Sequence, residues 1–371
     1  MEYVQERIAT LHDLTNPTPA APTDRAAVVV PMTEREYAGL AAEQVLSTLA
    51  TVDPAAVIVP LRAPAECVPD FRTWLDSFDL DVELLWCSAD PVSELLHEHG
   101  LENGFGKGRD VWLALGLAAE RGDYVVVHDA DAKTYSEAHV PRLLSPLTDG
   151  FEFTKGYYAR VENDRLYGRL FRLFYAPVVR ALDDAHDAPF LDYLDAFRYA
   201  LSGEFAMTAD LARQVRAQRA FGLEVGLLAD TFAQAGFDGT AQVDLGRHEH
   251  DHRSVSGPTG LSDMAGQVGR ALFNALDDHG VRPDFETLPE RYREAANTLV
   301  RQYAADARFN GLEFDAVAER EQVAAYADSV RPPETDTRLP AWEDAPLSPD
   351  AVAAAAADAM AGLDADPRSA D

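Results

Sequence analysis

Between residues 26 and 128, short apolar runs alternate with longer amphipathic stretches, and that alternation restricts the chain to one class of fold. The runs 26–30, 55–59, 82–86 and 124–128 are apolar at most positions and short, which suits strands buried on both faces and is too brief for buried helices. The intervening stretches 35–50, 65–78, 91–99 and 109–121 repeat apolar residues at helical spacing. A strand with two apolar faces must be covered twice, and helices crossing from one parallel strand to the next provide that cover. The pattern predicts an α/β fold, a Rossmann-like, mostly parallel sheet with helices on both faces. In such sheets ligands sit outside the carboxyl ends of the strands, so chemistry is expected in the segments after each apolar run.

The alternation ends near residue 150. Beyond it, 151–161 reads as a strand, 167–182 and 223–235 as helices, 239–245 as a last strand, and 260–329 as helical. Residues 1–22 form an extension closing in a linker with prolines at 17, 19 and 22. The expected organisation is a sheet-containing unit over 23–250, with halves 23–131 and 132–250, then a helical segment over 251–330 and an acidic tail over 331–371. Few large apolar residues and an alanine-rich patch at 351–361 mark the tail, which is expected to be disordered. Cys67 and Cys87 lie in no CxxC or zinc spacing and read as small buried residues. No secretion signal is read in residues 1–22, and no apolar stretch reaches the ~20 residues that cross a bilayer. A cytoplasmic protein is expected.

The formal net charge of −31, from 63 acidic and 32 basic side chains in 371 residues, argues against nucleic-acid and anionic-membrane partners, because both need clustered cations. It suits a salt-rich solvent that screens self-repulsion. Lysine is almost absent. Lys107, Lys133 and Lys155 are the three among the 32 cations: the first in a glycine loop, the second just past a pair of aspartates, the third on the next strand, all where such a sheet would face an anionic substrate.

Asp129, Ala130 and Asp131 follow the run at 124–128. Two carboxylates two residues apart at a strand's carboxyl end can share Mg²⁺ or Mn²⁺, which neutralises a departing diphosphate. Spacing alone has little weight, since Asp79 with Asp81 and Asp364 with Asp366 repeat it; the preceding buried strand singles out Asp129 and Asp131. Gly104, Phe105, Gly106, Lys107 and Gly108 precede the helix at 109–121. Glycines there allow close backbone approach, and a helix N-terminus with a lysine favours phosphate. Histidines alternate at His248, His250 and His252 after the last strand, and imidazole suits Mn²⁺-type sites. Arg169 and Arg172 can grip phosphate or carboxylate in bidentate fashion.

The order of these pieces is more specific than any one of them. Lys-Gly opens a helix, a strand closes in DxD, and FTKGYYAR (153–160) leads to a helix with Gly168 and Arg169. LSGEF (201–205), FGLEVGLL (221–228) and VDLG (243–246), with a histidine four residues on, complete the set. Spread over residues 26–272, it resembles the GT-A-fold retaining glycosyltransferases typified by glucosyl-3-phosphoglycerate and mannosyl-3-phosphoglycerate synthases.

The resemblance implies a metal site of Asp129, Asp131 and His250, with His248 and His252 as alternative imidazoles. It places Lys107 at the nucleotide-sugar, Gly203 and Glu204 at the donor sugar, Glu224 near the reacting centre, and Gly168 and Arg169 at an acceptor phosphate. Position and charge add Lys155 and Arg172 on the acceptor side. The donor side gains Pro31 and Glu34 from the end of the first strand. Two departures stand out: relatives carry Pro-x-x-Asn-Glu-Glu where this chain has Pro31, Met32, Thr33, Glu34, Arg35 and Glu36, and Asp-Ser where it has Leu61 and Arg62. Phe171 occupies a threonine position of the acceptor site. The implied function is retaining, metal-dependent transfer of glucose or mannose from a UDP- or GDP-sugar to a small anionic acceptor, 3-phosphoglycerate foremost, with Asp131, Glu224 and Lys107 as the catalytic set. A sugar nucleotidyltransferase and an inactive nucleotide-sugar-binding protein stay open as alternatives. The resemblance also implies a homodimer, for which the helices after residue 260 offer an interface.

Overall fold

A computed structural model describes residues 5–102, 104–251, 258–333 and 336–365. In chain order the first elements are β1 (Ala9–Leu11), β2 (Ala26–Val29), β3 (Met32–Thr33), α1 (Leu40–Val52), β4 (Ala56–Arg62), α2 (Val68–Leu75), β5 (Val82–Trp86), α3 (Asp90–Glu98), α4 (Lys107–Arg121) and β6 (Tyr124–Val127). Next come α5 (His139–Thr148), β7 (Phe153–Glu162), β8 (Arg165–Leu166), α6 (Ala176–Asp183), α7 (Pro189–Asp195), β9 (Phe205–Thr208), α8 (Ala209–Gln214), α9 (Leu223–Gln234) and β10 (Thr240–His248). Helices α10 (Pro258–Asp278), α11 (Leu288–Phe309), α12 (Ala316–Tyr326) and α13 (Pro349–Ala365) follow.

The strands form one sheet in the order β1-β10-β7-β9-β6-β2-β4-β3, with β5 on β4 and β8 on β7. β6, β2, β4 and β5 pair in parallel, as the apolar runs predict, and the whole of β2 is buried. The two halves meet at β9, which runs antiparallel to both β6 and β7. Only four residues long, β9 has no pattern that separates it from the loop before it. The helix expected from residue 35 starts at Leu40 instead. Thr33 caps a short turn over Glu34–Glu36, and its backbone N–H and hydroxyl both donate to the Glu36 carboxylate. The expected helix at 167–182 opens as a π-turn, Phe171–Tyr175, before α6. Behind the second half, α11 packs on α6 and α10 on α9. Among the described residues no helix is long and apolar enough to cross a membrane.

The tail corrects the expectation of disorder in its described part. Leu339 and Ala217 exchange backbone hydrogen bonds. Trp342 stacks on Trp112 of α4, with ring centroids 4.1 Å apart and planes within 10°, and its indole N–H donates to the Trp112 carbonyl. Gly116 leaves the space: a Cβ there would lie 2.3 Å from the Trp342 ring. Beyond it, α13 packs against α3, α4 and β5 and buries Val352 and Ala356. One tryptophan and a thin alanine face dock a segment whose composition is otherwise that of a solvated tail.

Candidate active site

The last rung of β6 is the His128 N–H, which donates to the Val29 carbonyl, so Asp129 begins the segment that leaves the sheet. There the chain meets the end of β10. The Asp251 N–H donates to the Asp131 carbonyl at 2.7 Å, the Lys133 N–H to the Glu249 carbonyl at 2.8 Å, and Ala132 bridges His250 in antiparallel register. This two-stranded clasp sets His250 Nε2 3.9 Å from Asp131 Oδ1. One ligand atom each from Asp129, Asp131 and His250 lies within 4.8 Å of the others. Gly203 closes the third side, because a Cβ at that position would stand 2.2 Å from Asp129 Oδ2.

Charge is concentrated around this cluster. Lys107 Nζ lies 2.5 Å from Asp129 Oδ1 and 3.5 Å from Glu224 Oε1. Burial opposes the Lys107 charge, but Asp129 and Glu224 overcome it and raise its pKa. Burial likewise opposes ionisation of Asp129, yet Lys107 holds that carboxyl below its ordinary value. Asp131 moves the other way: burial and the Asp129 charge push it up. Two carboxylates and an imidazole this close, one acid resisting ionisation because of burial and its charged neighbour, are a donor set for a hard divalent cation. Glu204 is fully buried with both carboxylate oxygens unpartnered, and burial followed by the Asp129 charge raises its pKa. Lys155 is buried below it, donating from Nζ to the Ser202 carbonyl at 2.8 Å.

The glycine loop is packed by contact with the segment before α9. A Cβ on Gly108 would meet the Gln218 carbonyl oxygen at 1.8 Å, and one on Gly106 the Arg219 carbonyl oxygen at 2.6 Å. That packing carries Lys107 to Asp129 while α9 brings Glu224. Pro31 is half-buried after β2, and Glu34 stands exposed in the turn beside it. Gly168 has a φ of +76° and sits by Tyr199 and Arg160. Arg169 pairs with Glu319 of α12 at 3.0 Å and stays partly exposed.

Arg172 is not brought to this cluster. It is buried, pairs with Glu319 at 2.9 Å, and donates to the Tyr167 and Leu166 carbonyls, a structural ion pair that nothing in the local sequence announces. Lys133 reaches Asp251, at 3.2 Å, on the rim. His248 is buried, with its ring stacked on Tyr158 at 4.1 Å and its Nε2 3.9 Å from Glu204 Oε1; burial lowers it to about 4 against the Asp129 charge. His252 lies outside the described residues. One cation escaped the motif reading. Arg160, which ends FTKGYYAR, donates to the Tyr199 hydroxyl and is near enough to Asp131 to counter its rise.

A mostly parallel sheet whose central strand ends in two metal-spaced aspartates, flanked by a lysine-bearing glycine loop, defines a metal-dependent glycosyltransferase of the GT-A fold. No family profile matches the chain. It is similar to the glucosyl-3-phosphoglycerate synthase of Methanococcoides burtonii, 31% identical over 92% of this chain and 93% of that one. It is also similar to that of Persephonella marina, 36% identical over 74% and 72% of the two chains. Solved structures of the Mycobacterium tuberculosis enzyme share the fold. One, in complex with Mn²⁺, UDP and glucosyl-3-phosphoglycerate, is 25% identical with a TM-score of 0.52 over 70% of this chain and 82% of that one. Another, with Mg²⁺ and UDP, is 25% identical with a TM-score of 0.54 over 75% and 88%. The chain belongs to the glucosyl-3-phosphoglycerate synthase family.

Proposed function

We propose that the protein transfers glucose from UDP-glucose to 3-phosphoglycerate with retention of anomeric configuration. The observation that supports this most is the convergence of Asp129, Asp131 and His250 within 4.8 Å, beside Lys107 and Glu224, in a chain that aligns along nearly all of a glucosyl-3-phosphoglycerate synthase. Asp129, Asp131 and His250 would hold Mn²⁺ or Mg²⁺, which stabilises negative charge on the leaving diphosphate. Lys107 adds a fixed positive charge on the same side. Glu204, buried beside His248, offers acceptor oxygens for sugar hydroxyls. Arg160 and Arg169, beside Gly168, carry the positive charge of the acceptor side. The acceptor hydroxyl oxygen bonds to the anomeric carbon on the face from which UDP departs, and its proton leaves with the diphosphate.

The test is incubation with UDP-glucose, 3-phosphoglycerate and Mn²⁺, followed by product analysis. The expected products are UDP and glucosyl-3-phosphoglycerate, with an α linkage by NMR. Pyrophosphate release from UTP and glucose 1-phosphate in a parallel incubation would identify a nucleotidyltransferase, and faster turnover of GDP-mannose would overturn the choice of donor.

A further inference from the structure

A cleft of about 760 Å³ opens at the carboxyl ends of β4 and β5, and the C-terminal helix forms one of its walls. Glu34 and Arg62 line one side, Trp86 ends β5 with Ser88 in the turn after it, and Phe105 comes from the glycine loop. Asp358, Ala359, Gly362 and Leu363 of α13 line the remaining side, a spacing that puts them on one helical face. We infer that α13 is a working part of the donor site and that this cleft holds the nucleoside of the nucleotide-sugar between Phe105 and the last turns of α13. The inference rests on the donor reading above and extends it to a segment outside the sheet.

Continuity carries the argument. Phe105 and Lys107 belong to one five-residue loop, and Lys107 already touches Asp129. From β6, where Asp129 emerges, the sheet steps through β2 and β4 to β5. At about 4.8 Å per strand that is roughly 14 Å, the scale of a nucleoside diphosphate laid across the strand ends. The chemistry of the walls suits the same occupant. The Phe105 ring is 56% exposed and is braced by the Arg109 guanidinium, 4.2 Å from its centroid, an arrangement that offers a fixed aromatic surface to a planar base. Glu34 and Asp358 present carboxylates able to accept from ribose hydroxyls or a base N–H. The indole N–H of Trp86 and the hydroxyl of Ser88 are both committed to the Ala63 carbonyl, which leaves the Arg62 guanidinium as the donor on these walls. Ala359 and Gly362 keep the helical wall low enough for a ring to lie against it.

Gly362 makes the inference testable, because a Cβ there meets nothing within 4 Å. In Gly362→Trp the side chain starts from a wall of the cleft, and its Cβ displaces no protein atom. Ala354→Trp, on the exposed side of α13, is the control. UDP binding with Mn²⁺ is measured by calorimetry, alongside KM for UDP-glucose and for 3-phosphoglycerate and the melting temperature. We expect Gly362→Trp to weaken UDP and raise the donor KM by at least about tenfold, while the acceptor KM, the melting temperature and the Ala354→Trp control stay at wild-type values. Equal UDP affinity in wild type and Gly362→Trp overturns the inference. Wild-type protein that binds UDP in this Gly362-dependent way but transfers no glucose removes the proposed reaction and leaves the cleft assignment standing. Wild-type protein with no UDP affinity overturns both.

Discussion

Lys107, the first residue of α4, donates from Nζ to Oδ1 of Asp129 across 2.5 Å, at the edge of the cluster that includes Asp131 and His250. A cation fixed by the protein thus holds one metal ligand ionised and oriented, and it remains beside the diphosphate once donor is bound. Lys107→Met keeps the length of the stem and removes the charge. Loss of one preorganised electrostatic contact to developing negative charge lowers kcat by about 10²–10³, so kcat/KM for UDP-glucose should fall by that order. Steady-state kinetics at saturating Mn²⁺ checks it. A change of less than threefold would show that Lys107 only supports the loop.

Asp131 illustrates how a site can be less stable than it needs to be. Burial and the charge on Asp129 raise its pKa, so its ionised form destabilises the metal-free protein above its unfolded-state pKa, and protonation at lower pH relieves that cost. Asp131→Asn should therefore melt, in chelator, at least as high as wild type while transferring no glucose. Mn²⁺ should raise the wild-type melting temperature and leave that of Asp131→Asn unmoved. Thermal scans with and without Mn²⁺ separate these outcomes, and retained transfer would remove Asp131 from the metal site.

Gly203 tests the close approach of loop and ligand. A methyl at this position would fall 2.2 to 2.8 Å from the Asp129 carboxylate atoms, too close for both to stay. Gly203→Ala is expected to displace Asp129 and cut transfer at least about a hundredfold, since misplacement by about 1 Å has that effect. Mn²⁺ titration should show weakened binding. Near-normal transfer in this variant would mean that the loop before β9 has room to move.

The parts of this architecture that are legible in the sequence rest on local pattern. Asp129 and Asp131 stand out from many other acid pairs because a fully apolar strand precedes them, and Lys107 stands out because lysine is so rare. The invisible parts depend on long-range pairing. Nothing in the local pattern around His248, His250 and His252 says that residue 132 bridges residue 250, which is what turns His250 toward Asp131. Arg172 reads as a free cation until Glu319, far along the chain, is seen to pair with it. β9 is short and has no turn signal of its own. In the tail, the average over alanines and acids hides the few side chains that dock it, Leu339, Trp342 and Val352.

Lys155 predicts a pH signature. Burial brings its ammonium down to about 8, against the opposing charges of Glu224 and Glu204. The folded value lies below the unfolded one, so between about pH 8 and 10.4 the unfolded chain binds more protons and stability conferred at this position rises with pH. Urea unfolding of wild type and Lys155→Met in chelator should show their difference moving toward wild type across that window by about 3 kcal/mol at most. A constant difference would mean that Lys155 keeps its charge in the folded protein.

Trp342 is the test of the tail. Its ring is 6% exposed and lies flat on Trp112, each indole donating to backbone of the other's segment, Trp112 to the Pro340 carbonyl and Trp342 to the Trp112 carbonyl. Truncation leaves a cavity over Gly116 and takes away the donor to the Trp112 carbonyl. Large aromatic-to-alanine changes in such surroundings cost about 3–5 kcal/mol. Trp342→Ala should therefore lower the melting temperature by several degrees and, by releasing α13, expose the segment after residue 345 to limited proteolysis. Because α4 carries Lys107, donor affinity should weaken in the same variant, whereas 3-phosphoglycerate affinity should not. A variant with unchanged melting temperature and an unchanged protease pattern would show that α13 is held by its own contacts with α3 and β5 and not by the tryptophan pair.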